Sequence, residues 1–403
     1  WNDDLVESRG RVFDKDGNLC NIKNISSIHN KKCLKIIFDN NEEITSDFEH
    51  KWLVDIYKKE KVLTTQQLKD YWDNKKEKYK NKIIPSCYHI KIPNTKPLNC
   101  KEKELPIDPY ILGLWLGDGH KVDGKITQMN LLVWKEIEKR GYIIGNDVSQ
   151  GGSGKAQTRT IFNLSSKLKE LNLLNNKHIP YIYLLSSYNQ RLDLLRGLMD
   201  ADGYYNPIRK RFELSTTRNY QVEFTIKILS SLGIKPTVIK SKKYLNNKKF
   251  DILTINFTTL INPFLCRNQN IKILTNNQHK YRRIKDIIEV EKVQTKCIEV
   301  DSPSNTYLFG HTLIPTHNTN KDLHKNYKKK TLLEPFNDYL QTPLNLYKIQ
   351  LNLYDMCLEE KGFTIDRRII IWLKECEVTN KKYQLFEVED LKPRLKKYYG
   401  SNS

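Results

Sequence analysis

Residues 195–203 read LRGLMDADG, and residues 111–119 read ILGLWLGDG. Aligned, the two nonapeptides share glycine at the third position, leucine at the fourth, aspartate at the eighth and glycine at the ninth. Their aspartates, Asp118 and Asp202, lie 84 residues apart (202 − 118), about the length of one small α/β unit. Small residues recur four apart in each copy, Gly113 with Gly117 and Gly197 with Ala201. On a helix such positions share a face, so each copy presents a side-chain-poor stripe on which a second helix can lie backbone to backbone. Gly119 and Gly203 suit a left-handed residue that ends each helix. This geometry predicts Asp118 and Asp202 side by side at two helix C-termini, repelling each other and opposing both helix dipoles. A divalent cation relieves such a pair, and carboxylates holding Mg²⁺ beside a basic surface are the ingredients of phosphodiester hydrolysis. One nonapeptide alone reads as a buried helix ending in a turn; two copies at this spacing argue against that.

The net charge of +21 points the same way, with lysine-rich runs at 241–249 and 325–330. Such charge gains affinity for a phosphate backbone by counterion release, although a Lys/Asn-rich coding bias also produces it. A length of 403 residues suits two or three domains. No apolar run reaches eighteen residues and no charged-then-apolar leader is present, so neither a membrane span nor a signal peptide is expected. The eight cysteines contain no CxxC pair, which favours reduced thiols and disfavours a zinc cluster.

The pair of nonapeptides resembles the LAGLIDADG homing endonucleases in their single-chain, pseudo-two-fold form. "LPIDPY" (105–110), "KHIP" (177–180) and "LSSLGI" (229–234) agree with that family around the motifs. The resemblance implies an α/β saddle over a DNA major groove, with Asp118 and Asp202 each binding metal. Residues 123–130 and 207–217 would be groove-facing strands of alternating basic and polar side chains. Lys177 matches a lysine with catalytic importance in intein-borne members; taken alone it reads as a surface lysine.

The stretches on either side of the paired motifs, 11–55 and 293–316, read as β-structure. "RVFDKDGNLCNI" is a hairpin turning at Asp16-Gly17, and "CLKIIFDNNEEITSD" is a second turning at Asn40-Asn41. Strand signals return over 293–316. The segment "ITSDFEHKWLV" (44–54) and the segment "KCIEVDSPSNTYLFGHTLIPTHNT" (296–319) resemble intein splicing blocks, and endonucleases of this type are often nested in inteins. The ending His317-Asn318 before Thr319 matches an intein's C-terminal junction. Asn318 can close on its own carbonyl and break the 318–319 bond, with His317 placed to assist and the Thr319 hydroxyl able to carry an acyl group. Trp52, Cys297 and Thr319 together resemble the signature of class 3 inteins, whose internal cysteine attacks the upstream junction. His50 would activate the upstream amide, and Asp47 stands where many inteins carry threonine. Each residue alone has a bland reading: an inert core cysteine, a core tryptophan, a satisfied histidine.

The expected architecture is therefore multidomain: an all-β Hint horseshoe split by a pseudo-two-fold LAGLIDADG endonuclease, then an α+β C-extein. The segments are 1–100 and 286–318 for the Hint parts, 101–285 for the endonuclease and 319–403 for the C-extein. Within the last, "TNK" (319–321) and "YKIQLNLY" (347–354) resemble the C-terminal part of PD-(D/E)XK exonucleases of phage and viral type, with Gln350 and Tyr354 supporting a site on one helix face. Helical periodicity covers 345–361, and "RRIIIWL" reads as a buried strand. Trp1 falls about a dozen residues inside the start of matching inteins, so splicing of this chain as it stands is expected to be incomplete. The expected partners are double-stranded DNA and an upstream N-extein segment; the cofactor is Mg²⁺ for cleavage and none for splicing. No membrane partner, a monomeric state and an intracellular setting (cytoplasm or nucleoid, viral or bacterial) complete the reading. A DNA-binding protein whose endonuclease has decayed is the alternative, and a single host hydrolase is a third reading that makes the His-Asn-Thr run a coincidence.

Overall fold

Period-two burial builds the β-rich part. In "CLKIIF", Leu34, Ile36 and Phe38 are buried while Lys35 and Ile37 are less so, the alternation of a strand with one covered face. The computed structural model describes residues 10–26, 28–80, 82–148, 156–245, 248–267, 271, 281–317, 330–372 and 383–400. Its first strands are β1 (Arg11–Phe13), β2 (Leu19–Ile25), β3 (His29–Phe38), β4 (Glu43–Asp47), β5 (Lys51–Ile56), β6 (Lys59–Thr64) and β7 (Lys91–Pro93), with helix α1 (Thr65–Lys78) after β6. Helix α1 starts at a capping box, Thr64 and Gln67 each bonding the other's backbone N–H, and buries Leu68 and Trp72.

A long helix-and-strand segment comes next, before the β-structure resumes. It contains α2 (Pro109–Asp118), β8 (Lys125–Gln128), α3 (Leu131–Lys139), β9 (Ile144–Asp147), β10 (Gln157–Ile161), α4 (Leu164–Glu170), α5 (Tyr181–Leu184), α6 (Tyr188–Asp202), β11 (Gly203–Asn206), β12 (Arg211–Thr216), α7 (Asn219–Ser231), β13 (Thr237–Leu245) and β14 (Lys248–Phe257). The chain then returns as β15 (Tyr281–Thr295), β16 (Ile298–Val300), β17 (Thr306–Phe309) and β18 (Ile314–His317).

Both ends of this span build the same sheets. One eight-stranded sheet has the order β17-β18-β5-β7-β15-β3-β4, with β6 on β5, and a three-stranded sheet has the order β1-β2-β16. Strand β15 pairs antiparallel with β3 from Ile284↔Phe38 to Thr295↔His29. Buried Arg282 ties the halves further, donating to Glu42 Oε2 at 2.9 Å and to both oxygens of Thr312. Both hairpins turn where the sequence indicates: Phe13 pairs with Leu19, and Ile37 with Glu43.

The inserted segment has two sheets, β8-β10-β9 and β11-β12-β14-β13, over one core that includes Tyr110, Leu114, Leu195, Leu198, Phe212 and Ile255. Helices α2 and α6 are its axis. Asp108 caps α2 by accepting from the N–H groups of Tyr110 and Ile111, and a Ser187/Gln190 capping box opens α6. The small-residue stripes do bring these helices together. A Cβ at Gly197 would lie 2.0 Å from the Tyr110 carbonyl oxygen, and one at Gly113 would lie 2.2 Å from that of Leu194. Gly197→Val therefore forces the helix backbones apart, at the top of the ~1–3 kcal/mol range for overpacked cores or beyond it. Thermal unfolding should show Tm lower by about 6 °C or more; an unchanged Tm would mean that the helices do not touch there.

The left-handed caps expected at Gly119 and Gly203 do not form. Their φ angles are −78° and −77°, extended backbone, because the chain passes straight from each helix into β-pairing. Glycine is needed there for room: a Cβ would stand 2.3 Å from the Trp115 ring at Gly119 and 2.5 Å from the Met199 carbonyl oxygen at Gly203.

Residues Trp1–Thr319 form one compact unit and Asn320–Ser403 a second. The second contains α8 (Pro343–Glu359), β19 (Ile369–Trp372), β20 (Gln384–Glu387) and α9 (Lys392–Gly400) around Phe336, Leu391 and Leu395. The buried strand expected in "RRIIIWL" is a strand but not a buried one. It pairs only with β20 among the described residues, and a two-stranded ribbon leaves Ile369 and Ile371 exposed. No helix among the described residues is long and apolar enough to cross a membrane.

Candidate active sites

The paired helices carry their aspartates to one place. Asp118 ends α2 and Asp202 ends α6, and the Asp202 carboxylate lies over Gly117, whose Cβ would meet Asp202 Oδ2 at 3.2 Å. Each carboxylate is oriented by a glutamine. Gln128 Nε2 donates to Asp118 Oδ2 at 3.0 Å, and Gln221 Nε2 donates to Asp202 Oδ2 at 2.7 Å. The glutamine oxygens are fixed in turn, one accepting from the N–H groups of Met129 and Asn130, the other from the Thr216 hydroxyl.

Each helix end also carries a cation. Lys177 is not the surface lysine of the isolated reading: it is 6% exposed, and its Nζ donates to the carbonyls of Trp115 at 2.7 Å, Leu116 at 3.1 Å and Gly119 at 2.7 Å. Arg267 plays the matching part on α6, donating from Nη1 to the carbonyls of Asp200 at 3.0 Å and Ala201 at 2.9 Å. Both offset the negative end of a helix dipole next to the carboxylates. Arg267, Gln128 and Gln221 escape sequence reasoning. The signal for Arg267 is its spacing, 65 residues after Asp202 (267 − 202) against 59 from Asp118 to Lys177 (177 − 118).

Burial, and then the neighbouring Asp202 charge, push the Asp118 carboxyl up to about 7, with Arg267, Lys177 and Gln128 opposing. Burial, and then Arg218, draw the Lys177 ammonium down to about 8. A carboxylate crowded as Asp118 is by Asp202 suits a divalent cation, which removes the repulsion. Among the described residues no group of three or more His, Cys, Asp or Glu gathers to hold a metal ion. Folding takes up a proton at Asp118 between about pH 4 and 7, so this carboxyl destabilises the fold increasingly as pH rises through that window. Mg²⁺ should therefore raise Tm by about 3 °C or more near pH 8 and far less near pH 5.5. Asp118→Asn should remove that difference; an identical Mg²⁺ response in the variant would rule out the site.

The expected groove strands are shorter than their sequence ranges: β8 covers 125–128 and β12 covers 211–216. Their outer faces are less basic than expected. Arg211 is paired with Glu213 at 2.8 Å, and the Asn206 amide donates to the same carboxylate. Hydroxyl pairs Thr127–Thr158 and Ser215–Thr254 cross the strands beside them.

A second group of candidate residues lines a cavity of about 340 Å³ in the β part. Asp47, His50 and Trp52 come from before the inserted segment, Cys297, Tyr307 and Thr316 from after it. The Trp52 ring is fully buried, meets His50 edge-on at 5.0 Å between centroids, and donates from Nε1 to Thr65 Oγ1 at 3.0 Å. Burial draws the His50 imidazole down to about 4; Asp47 opposes this and the His317 charge adds to it. His50 is thus neutral at physiological pH and can accept a proton. Cys297 is anchored by its backbone, its N–H donating to Ser26 Oγ at 2.9 Å and its carbonyl accepting from Ser26 N–H at 2.8 Å. His317 is the last residue of β18, paired with Thr306. Asn318 and Thr319 lie outside the described residues.

In the second unit Gln350 and Tyr354 share a face of α8 and hydrogen-bond to each other, with Tyr354 exposed. Among the described residues no further candidate residue adjoins them, and the "TNK" segment (319–321) lies outside those described.

A family profile described as a LAGLIDADG-like domain matches residues 189–285. The replicative DNA helicase DnaB of Mycobacterium intracellulare is 29% identical over 239 residues, which is 56% of this chain and 37% of that protein. The chain thus spans little more than a third of that relative. Among solved structures, mesophilic variants of the homing endonuclease I-DmoI align at TM-score 0.27 and 19% identity, over 38% of this chain and 88% of that one. I-DmoI in complex with DNA and Mn aligns at TM-score 0.26 and 18% identity, over 38% and 89%. The N-terminal LAGLIDADG domain of DUF199/WhiA aligns at TM-score 0.24 and 13% identity, over 37% and 76%. Residues 189–285 of this chain are thus similar in sequence to a LAGLIDADG-like domain.

Proposed function

We propose that this chain is a self-splicing protein element of the class 3 intein type, with a nested LAGLIDADG DNA endonuclease and a piece of its host protein attached. One observation carries this reading: the cavity unites Asp47, His50 and Trp52 with Cys297 and Thr316, across more than two hundred residues of intervening chain. A β domain interrupted by a separate enzyme explains that union, and the unit boundary after Thr319 fits a junction at Asn318-Thr319.

In the splicing reaction the Cys297 sulfur attacks the carbonyl carbon at the upstream junction. A C–S bond forms, the C–N bond breaks, and the departing amine takes up a proton. Neutral His50 picks up a proton from solvent and passes it to the departing amine, and buried Trp52 fixes its ring. The Thr319 hydroxyl then takes the acyl group as an ester, Asn318 closes to a succinimide with help from His317, and an O-to-N shift restores a peptide bond.

For the endonuclease, Asp118 and Asp202 would hold the divalent ions, most simply Mg²⁺, which polarise the phosphate and activate water when bound. The protein's own residues do the positioning. Gln128 and Gln221 aim the carboxylates, Lys177 and Arg267 neutralise the helix ends, and the β8 and β12 sheets would lie along the DNA, with the net charge of +21 supplying non-specific affinity. The C-terminal unit belongs, in this reading, to an exonuclease of PD-(D/E)XK type, with Gln350 and Tyr354 beside its site. The test is strand cutting: DNA carrying the uninterrupted host sequence should be nicked or cut with Mg²⁺ and not with EDTA. DNA left intact in both would sink the endonuclease part.

A further inference from the structure

Asp47 has no part in the steps above, yet it is buried and lines the cavity with Cys297. What it holds is a lysine. Lys31 Nζ donates to Asp47 Oδ2 at 3.0 Å, and this hydrogen bond raises the lysine's proton affinity against a smaller opposing effect of burial. The ammonium is also close enough to Cys297 for the two charges to interact. Asp47 supplies the link, bonding Lys31 while lining the cavity with Cys297; strand register keeps Lys31 and Cys297 four ladder positions apart. On β3, Lys31 is paired with Val293 and His29 with Thr295, so β15 delivers Cys297 two residues past the end of the ladder, where Ser26 clamps its backbone. Cys33, two residues along β3, is paired with Asp47 on β4, which puts the carboxylate beside the lysine on one face of the sheet.

We propose that Lys31, held by Asp47, is the positioning residue that favours the thiolate of Cys297 and so prepares it for attack. The inference rests on the splicing reading of the cavity. The thiol gives its proton to solvent, the sulfur keeps the electron pair, and the fixed ammonium stabilises the resulting charge; Lys31 itself makes and breaks no covalent bond. Among the described residues, the charged and titratable groups around the sulfur and this pair include Lys296, beside it in the chain, with Cys33, Glu49, His50 and Tyr307, and His317 next to His50. Asp47 acts in two ways, anchoring the lysine and sharing part of its charge. Removing Lys31 leaves a bare carboxylate near the sulfur, whereas neutralising Asp47 leaves a bare ammonium. The two changes must therefore move the thiol in opposite directions, which a merely structural contact would not do.

The experiment uses the full chain. Iodoacetamide alkylation is followed peptide by peptide by mass spectrometry from about pH 6 to 10, with exposed Cys87 and Cys357 as internal references. Lys31→Met should move the Cys297 midpoint up by about one pH unit, a tenfold loss of thiolate, as expected for the loss of one screened charge. Asp47→Asn should move it down, and Lys31→Arg should leave it within about 0.3 units. An unmoved midpoint in Lys31→Met overturns the proposal, and so does an Arg variant that behaves like Met. Alkylation reads the thiol whether or not splicing occurs. A chain that shows these shifts and never splices would keep Lys31 in its place and sink only the splicing reading.

Discussion

Asp118→Asn and Asp202→Asn are each expected to lower DNA cleavage by about 10³-fold or more while changing DNA affinity by less than about threefold. Asparagine keeps the shape and the glutamine contact of each side chain. It removes the charge, and with it the crowding that pushes the Asp118 carboxyl up to about 7. A bound cation would then be held by one carboxylate where two converge. DNA affinity should survive because it draws on charge spread over the surface, a net +21 for the chain. Cutting of labelled duplex and gel-shift binding, measured on the same preparations, separate the two effects. Full cutting by both variants would remove the aspartates from the chemistry; lost binding would make them structural.

Cys297→Ala should abolish splicing completely when an upstream segment is present, because among the described residues no other thiol lines the cavity. Cys33 is fully buried on the neighbouring strand and donates to the Lys31 carbonyl, and Cys20 is buried with its thiol pushed up to about 11, first by desolvation. Neither can replace the missing nucleophile. Cleavage at Asn318 is a separate reaction and should continue in the alanine variant. A variant that still yields ligated product would make the class 3 reading wrong.

Much of this arrangement is legible in the sequence, for physical reasons that differ from place to place. Glycines at 113 and 197 can be read because close helix approach admits no Cβ there. The hairpins at Asp16-Gly17 and Asn40-Asn41 can be read because turn chemistry is local, and Gly17 and Asn41 both take positive φ. The backbone at Gly119 and Gly203 is not set locally: pairing of the next strand, rather than the helix, fixes their φ. "IIIW" looks like a strand buried on both faces, but burial depends on a layer that these residues do not encode. Lys177 and Arg267 find their carbonyls, and Lys31 finds Asp47, only once distant segments meet. Long-range partners of that kind leave no periodicity to detect.

The central claim, that Cys297 carries the acyl group of an upstream segment, can be tested by intact-mass spectrometry of the chain preceded by its host sequence. With Asn318→Ala and Thr319→Ala blocking the later steps, a branched species should accumulate with the upstream segment on Cys297, and dithiothreitol or hydroxylamine should release it. A single linear mass that neither reagent alters would contradict the account.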